Sequence, residues 1–479
     1  MTFLEWLGMV MLVVMLFAIF VGIPISFTLL FLALIFGFIG LGSTVFDLAY
    51  LQTLGLMKQD EFVAVPMFII MGYICDQAGL MERLFKAFRD LFAPVRGALY
   101  LVVLGTATLF GIAAGTVGAT VALLGIMAGP IMIKTGYDAR MSAGAITAGG
   151  TLGILIPPSV MLVVMGPVLG VSVLELYAAA FGPGFLLAGM YMVYTMTRSF
   201  INPKLGPPVP KEEREKNIGK ILWECLVGLV PVTVLTVATL GAILAGLTTS
   251  TEAAALGALG AILLVAAYGR LTWKGIFAAC QSTLTTTSMV LFLAVASNIF
   301  GAVFARLGTA TWITNALLAV PLPPWGTISL VLFLIFLLGW PFEWPAIVLI
   351  FLPMLAPVAT GLGYDMVWFG TITAVVLQTA FLSPPVAMSA YYLKQVVKDW
   401  SLSTIYKGMA DFMVIQVLCV VVVLAFPGIA MWFPDWLKEG DRMAVPALPG
   451  DAVDNTPSLE AGDTLTNDAA GATTAEPEK

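Results

Sequence analysis

The sequence contains no histidine. That excludes imidazole as a general base, as a metal ligand and as a proton sensor near neutral pH. Charge is scarce as well: Asp, Glu, Lys and Arg make up 10% of 479 residues, against about 25% in soluble domains. The four cysteines, Cys75, Cys225, Cys280 and Cys419, lie far apart in apolar runs without a C-x-x-C. Neither a zinc site nor a disulfide framework is expected from them. No G-x-x-x-x-G-K-[ST] occurs, so an ATP-driven pump is not indicated and ion gradients remain as the energy source. No organic cofactor and no nucleic-acid partner are expected.

What is present is apolar: 60% of the residues are hydrophobic and the mean hydropathy is +1.01. Such a chain reads as an all-α polytopic membrane protein whose solvent is the lipid bilayer. Residues 5–22 lack a basic front and a small-residue cleavage site, so they read as a first retained helix rather than a signal peptide. The net charge of −6 comes from residues 437–479, with nine acidic and three basic residues. This tail is rich in Ala, Gly, Pro and Thr, and is expected to be disordered and outside the membrane.

Apolar segments near 5–22, 25–41 and 63–80 precede a basic stretch with Arg83, Lys86, Arg89 and Arg96. A Gly-rich segment, a G-Y-D turn, a Pro-Pro segment and a helix near 178–198 complete the first half, residues 1–198. A polar linker, 199–220, leads to a second half, 221–436, with a last helix near 411–431. The expected count is roughly ten full spans and two re-entrant pieces, at about 20 apolar residues per span.

Two stretches are wrong for lipid-facing helices. Gly111, Gly115 and Gly118 crowd beside Thr116 and Thr120, and Pro157-Pro158 interrupts an apolar run. Proline lacks the backbone donor and clashes with the preceding turn, so a pair of them breaks a helix. In hydrocarbon the freed carbonyls cost several kcal/mol unless protein, water or an ion satisfies them. Broken helices at membrane depth therefore point to a binding site.

The arrangement recurs. Adding 227 carries Pro157-Pro158 onto Pro384-Pro385, Gly136-Tyr137-Asp138 onto Gly363-Tyr364-Asp365, Pro130 onto Pro357 and Thr116 onto Glu343. One offset joining these features predicts two structural repeats, with hairpin and broken segments over 105–165 and 335–392. Loop charge sets their relative orientation. The basic stretch 82–97 maps onto 309–324, which has no charge, whereas 166–178 carries only Glu175 and its partner around 393–407 carries Lys394, Lys398 and Lys407. Opposite charge patterns in equivalent loops predict inverted topology. The linker, with Lys204, Lys211, Arg214, Lys216 and Lys220, then lies inside and both termini outside. Two inverted broken segments meet near the midplane, an arrangement suited to secondary active transport.

Gly115, Thr116, Gly118 and Thr120 offer carbonyl and hydroxyl oxygens to a hard cation, against a plain reading as close helix packing. Gly153, Ile156, Pro157, Pro158 and Ser159 form the first break; Thr379, Ser383, Pro384 and Pro385 form its counterpart. Glu343, between Pro341-Phe342 and Trp344-Pro345, is an expensive carboxylate in an apolar stretch and so a functional candidate. An interfacial Glu beside a Trp anchor is the alternative. Substrate contacts are expected from Thr151, Ser159, Trp344, Gln378 and Thr379 beside the breaks. Glu252, in T-T-S-T-E-A-A-A, and Asp138 and Asp365, in G-Y-D, suit helix caps.

The stretches F-G-I-A-A-G-T-V-G-A-T, G-Y-D-A-R, A-G-G-T-L-G-I-L-I-P-P-S, T-S-T-E-A-A-A and L-S-P-P-V resemble the large membrane subunit of tripartite ATP-independent periplasmic (TRAP) transporters over about residues 1–435. F-E-W at 342–344 and L-Q-T-A-F-L-S-P-P at 377–385, followed by Tyr-Tyr-Leu-Lys, look like the mannitol/chloroaromatic subgroup, which includes carriers of 2-oxo acids. The resemblance implies a multi-pass protein of the bacterial inner membrane. It implies a Na⁺-driven elevator working with a small four-helix membrane subunit and a periplasmic substrate-binding protein. An autonomous Na⁺- or H⁺-coupled carboxylate symporter is the alternative. Carried over, the Na⁺ ligands fall on Ala114, Thr116, Gly153, Ile156 and Pro158, and around Gly339, Glu343, Ala380, Ser383 and Pro385. The chain departs from the family at A-G-T-V (114–117), where S-G-S-S is usual, at S-P-P-V-A for T-P-P-V-G, and at Glu343 for Asp. No chemistry on the substrate is expected. An enzyme would need clustered nucleophile, acid and base residues, which the apolar segments lack.

Overall fold

The computed structural model describes residues 2–114, 117–208, 217–384 and 387–444, and every regular element among them is helical. The described residues up to Leu437 make one compact unit, and those from Lys438 on belong to a second. The chain starts with two antiparallel helices, α1 (Phe3–Phe20) and α2 (Ile25–Leu41), then α3 (Thr44–Met57) and α4 (Glu61–Gln77). An amphipathic α5 (Leu80–Phe92) follows, then α6 (Ala98–Ala114) and α7 (Val117–Lys134). Next come α8 (Ala139–Leu155), α9 (Val160–Leu169) and the long α10 (Val173–Ile201).

The second half opens with α11 (Ile218–Leu244), α12 (Ser250–Ala267) and α13 (Trp273–Arg306). After a short α14 (Thr309–Leu318) come α15 (Pro324–Leu338), α16 (Trp344–Ala346), a π-helical turn (Ile347–Phe351) and α17 (Leu352–Gly361). Then α18 (Met366–Leu377), a 3₁₀ turn (Gln378–Phe381), α19 (Met388–Val396), α20 (Leu402–Ala425) and α21 (Gly428–Ala444) close the described chain.

The 227 offset that joins the two proline pairs also joins these helices. It carries α7 onto 344–361, where α16, the π turn and α17 lie, α9 onto 387–396 beside α19, and α5 onto 307–319 beside α14. One local difference stands out. α3 and α4 are separate helices, whereas their images fuse into the single 34-residue α13. Lys58-Gln59-Asp60, where α3 gives way to α4, corresponds to Thr285-Thr286-Thr287 inside α13.

Capping explains several boundaries. Asp138 accepts from the Met141 N–H at 2.8 Å, and Asp365 accepts from Val367 and Trp368 at 2.7 and 3.1 Å. Thr249 and Glu252 form a reciprocal capping box at the start of α12. All three acids therefore stabilise helix starts, as their sequence contexts indicate.

Both hairpins are re-entrant, and they open on opposite faces. At the open end of α6–α7 the Leu99 N–H donates to the Tyr137 hydroxyl at 3.3 Å, and Tyr100 and Tyr137 meet edge to face at 5.0 Å. The linker start closes over this end. Leu205 O accepts from the Tyr100 hydroxyl at 2.7 Å, and Gly206 O accepts from the Gly97 N–H at 2.9 Å. The second hairpin, α15 to α17, opens where Gly361 lies against Leu318, at the end of α14. The start of that helix touches the N-terminal segment, with Thr309 Oγ1 donating to Glu5 O at 3.2 Å. One hairpin thus opens on the linker face and the other on the face of the N-terminus, the inversion that loop charge predicts.

Among the described residues eight helices are long and apolar enough to cross a membrane, and up to ten if each of two bent pairs is one span. Two of the eight, Val117–Lys134 and Trp344–Gly361, are hairpin return arms. The bent pair α8–α9 turns by 46° at the first double proline. Beyond α20, Pro427 interrupts the helix, and Trp432, Phe433 and Trp436 lie on α21, which runs to Ala444. Residues 437–444, expected to be disordered, are therefore helical; 445–479 lie outside the described residues.

Candidate functional site

Each break leaves carbonyls that local sequence cannot satisfy. Pro157 and Pro158 carry no N–H, so the carbonyls of Gly153 and Ile154 lose their helical donors. The Ser159 hydroxyl donates to Ile154 O, while the Gly153 carbonyl stays without its helical donor. In the second half Pro384 and Pro385 remove the donors of Ala380 and Phe381 by the same logic. Gly153 and Ala380 are related by the 227 offset, so the repeats free carbonyls at equivalent positions. Pro157-Pro158 is a cis peptide.

Gly153 also fixes how closely the first hairpin approaches its break. A Cβ on it would lie 2.6 Å from Gly111 O, and a Cβ on Gly111 would lie 2.7 Å from Gly153 Cα. The backbones of α6 and α8 therefore touch through two glycines, and the end of α6 is brought onto α8. In the second half Gly339 plays the equivalent part: a Cβ there would meet Ala380 Cβ at 3.0 Å.

The other expected residues are largely committed to the fold. Ser159 is fully buried and caps α9. The Thr151 hydroxyl donates to Ala148 O at 2.8 Å, and Ser383 Oγ donates to Thr379 O at 2.8 Å. Thr379 Oγ1 donates to Val376 O at 2.6 Å and lines an apolar crevice beside α20. Ile156 is fully buried at the end of α8. Gln378 is fully buried with both side-chain amide atoms unpartnered. Ala114 ends α6, and Gly115, Thr116 and Pro385 lie outside the described residues.

Glu343 and Trp344 do reach an open space. Glu343 has extended backbone and precedes α16, and its side chain caps nothing. A cavity of about 380 Å³ is lined by Glu343, Trp344, Val117, Gly118, Ile154 and Phe381 together with residues of α4, α9, α13 and α19. Three of these pairs, Val117/Trp344, Gly118/Pro345 and Ile154/Phe381, are related by the 227 offset. Equivalent residues of both repeats thus face one hollow. Glu343 is the charged residue of that lining, and no lysine or arginine shares it.

Sequence reasoning missed the wall opposite. Tyr73 of α4 and Thr286 of α13 line the cavity, their hydroxyls 3.4 Å apart. Tyr392 closes another side, packed so tightly that a Cβ on Gly118 would lie 2.9 Å from its ring. These residues sit in ordinary apolar segments, where a lone tyrosine or threonine carries no signal. Only the Tyr-Tyr after the second proline pair hinted at one of them.

Chemically, the cavity offers one carboxylate, three hydroxyl-bearing side chains and an aromatic wall beside backbone that has left helical bonding. Such a site suits a small solute and a hard cation that takes oxygen ligands. Among the described residues of its lining there is no nucleophile–base pair.

The comparisons with known proteins agree with this architecture. Residues 10–429 match the family model described as "Tripartite ATP-independent periplasmic transporter, DctM component". The sialic acid TRAP transporter large permease protein SiaM of Vibrio cholerae is 30% identical over 435 residues, covering 90% of this chain and 97% of that protein. The C4-dicarboxylate TRAP transporter large permease protein DctM of Rhodobacter capsulatus is 28% identical, with 87% and 96% covered. Among solved structures, the Alcanivorax borkumensis YdaH transporter, whose topology is described as unusual, shares the fold at a TM-score of 0.56 and 16% identity, covering 82% of this chain and 89% of that one. These relatives are named as transporter permeases. With both repeats, both hairpins and almost the whole length matched, the chain belongs to the DctM component family of tripartite ATP-independent periplasmic transporters.

Proposed function

We propose that this chain is the large permease subunit of a Na⁺-driven uptake system for a small organic acid anion. A periplasmic binding protein delivers the solute, and a small four-helix membrane subunit completes the complex in the bacterial inner membrane. The halves 1–198 and 221–436 supply one tip each, and the tips travel together as an elevator. The observation that carries this reading is Glu343, a carboxylate without a cationic neighbour in the lining, facing the hollow where the two repeats meet.

Na⁺ is cargo here and is held by oxygens. The Gly153 and Ala380 carbonyls, freed in equivalent positions, suit it, as does the Glu343 carboxylate; Ile156, Pro158, Gly339 and Ser383 lie near them in sequence, and the family resemblance adds Ala114, Thr116 and Pro385. Bound Na⁺ offsets the charge of Glu343, which lets an anion enter a cavity that has no lysine or arginine. Relatives named for sialic acid and C4-dicarboxylate transport favour an organic acid. The F-E-W and L-S-P-P variants favour a 2-oxo acid, a lactate-like acid or an aromatic carboxylate.

The test is uptake of labelled pyruvate, lactate and benzoate into proteoliposomes under an inward Na⁺ gradient, with and without the binding protein. Uptake should need both Na⁺ and the binding protein, and Glu343→Ala should abolish it while the protein stays monodisperse. Uptake without the binding protein would identify an autonomous symporter, and uptake driven by a proton gradient alone would identify H⁺ coupling. Normal transport by Glu343→Ala would remove Glu343 from the site.

A further inference from the structure

A second cavity, about 350 Å³, lies between the same helices nearer the face of the N-terminus. It is stacked on the central hollow rather than scattered from it. α4 contributes Ile69 and Tyr73 to the central hollow and Phe62 to this cleft; α9 contributes Val160 to one and Pro167 to the other. α13 passes from Val290 in the first to Ala294 in the second, four residues or about 6 Å along the helix. The hairpin arm passes in the same way from Trp344 to Leu349 and Pro353. At its other end the cleft shares Gln59 and Pro167 with a larger cavity of about 620 Å³ between the α9–α10 and α11–α12 loops.

The cleft has an apolar wall with a cluster of uncharged polar side chains. Gln52, Gln59, Ser297 and Asn298 line it, and no acidic or basic side chain does. Asn298 donates to Gln52 O at 3.1 Å. Ser297 is 2% exposed and its Oγ has no hydrogen-bond partner, and Gln59 Oε1 is buried without one. Buried polar atoms left unpaired are costly, and the described residues leave several across the fold. Here two of them belong to one cavity. The repeat adds an independent pointer, because the 227 offset relates Gln59 to Thr286 and Phe62 to Met289, both in the central hollow.

We propose that this cleft is a second solute site, an entry station where the same small organic acid anion rests on uncharged polar groups before it reaches Glu343. Ser297 Oγ can donate to the anion, and Gln59 Oε1 can accept from a hydroxyl on the solute; uncharged groups hold an anion without trapping it, and a station midway must release what it binds. The inference rests on the transport reading above and adds to it the site and its residues.

The test uses the full chain with its two partner subunits in proteoliposomes, with Cys75, Cys225, Cys280 and Cys419 replaced by alanine. Ser297→Cys is treated from the N-terminal face with 2-sulfonatoethyl methanethiosulfonate, itself a small organic anion. The cysteine should react, the reaction should slow at least about tenfold in saturating pyruvate, lactate or benzoate, and uptake should then be lost. In parallel, Ser297→Ala should raise the solute concentration for half-maximal uptake about tenfold, or about 1.4 kcal/mol, and leave the Na⁺ response unchanged. The idea is overturned if Ser297→Cys stays inert while Thr249→Cys at the mouth reacts, if none of the three acids protects it, or if modification leaves uptake intact. Glu343→Ala separates the two levels. If it abolishes uptake and the cleft variants transport normally, only the entry station falls; if it transports normally, the reading of the central site falls.

Discussion

Gly153→Ala is the sharpest single perturbation of this architecture. The added Cβ would lie 2.6 Å from Gly111 O and 2.7 Å from Gly111 Cα, where carbon contacts normally settle at about 3.5–4.0 Å. The obstruction is backbone, so no side chain can swing away, and α6 must move from α8 by about an ångström. Overpacking of this kind costs about 1–3 kcal/mol. Spread over Na⁺ binding, the same energy is roughly a 5- to 150-fold rise in the Na⁺ concentration for half-maximal uptake. The assay pairs Na⁺ titration of uptake with the melting temperature of the detergent-solubilised chain. Gly189→Ala serves as control, because a Cβ there meets nothing within 4 Å and alanine is the better helix former. If Gly153→Ala matches the wild type in both melting temperature and Na⁺ response, the glycine contact does not position the hairpin tip, and the carbonyl-based account of the site fails.

Three further outcomes are expected. Lys86→Cys on α5 and Asn315→Cys on α14, both exposed, should label with an impermeant maleimide from opposite sides of the membrane; labelling from one side refutes the inversion. Thr116→Val should raise the Na⁺ concentration for half-maximal uptake, and an unchanged Na⁺ response removes that hydroxyl from the ligand set. Thr249→Ala breaks the capping box with Glu252 and should lower stability by about 1 kcal/mol, read as a fall in melting temperature; no fall would mean that packing alone holds the start of α12.

Much of the fold follows from local chemistry. The double prolines break helices because the ring removes donors, wherever those helices sit. The G-Y-D turns and the T-S-T-E segment form caps because their acids lie within reach of free N–H groups. The inversion is written in loop charge, since lysine and arginine collect on one side of a membrane. Glu343 could be singled out from sequence because a carboxylate in an apolar run is anomalous on its own.

Other features depend on distance in space rather than along the chain. Thr151, Ser159, Thr379 and Ser383 look like a polar lining in sequence, yet their hydroxyls bond backbone carbonyls three to five residues earlier in the chain. A broken helix consumes nearby donors before any ligand arrives. Tyr73, Thr286 and Tyr392 gave almost no signal because each belongs to a different helix, and only packing brings them together. The fusion of α3 and α4 into one helix in the second repeat is likewise invisible to an offset that matches residues but not helix continuity. The sequence by itself determined where helices must break and that the halves are inverted relative to each other, because proline geometry and loop charge act locally. Tertiary structure alone decided which oxygens remain free for a ligand, because that depends on which neighbours reach them first.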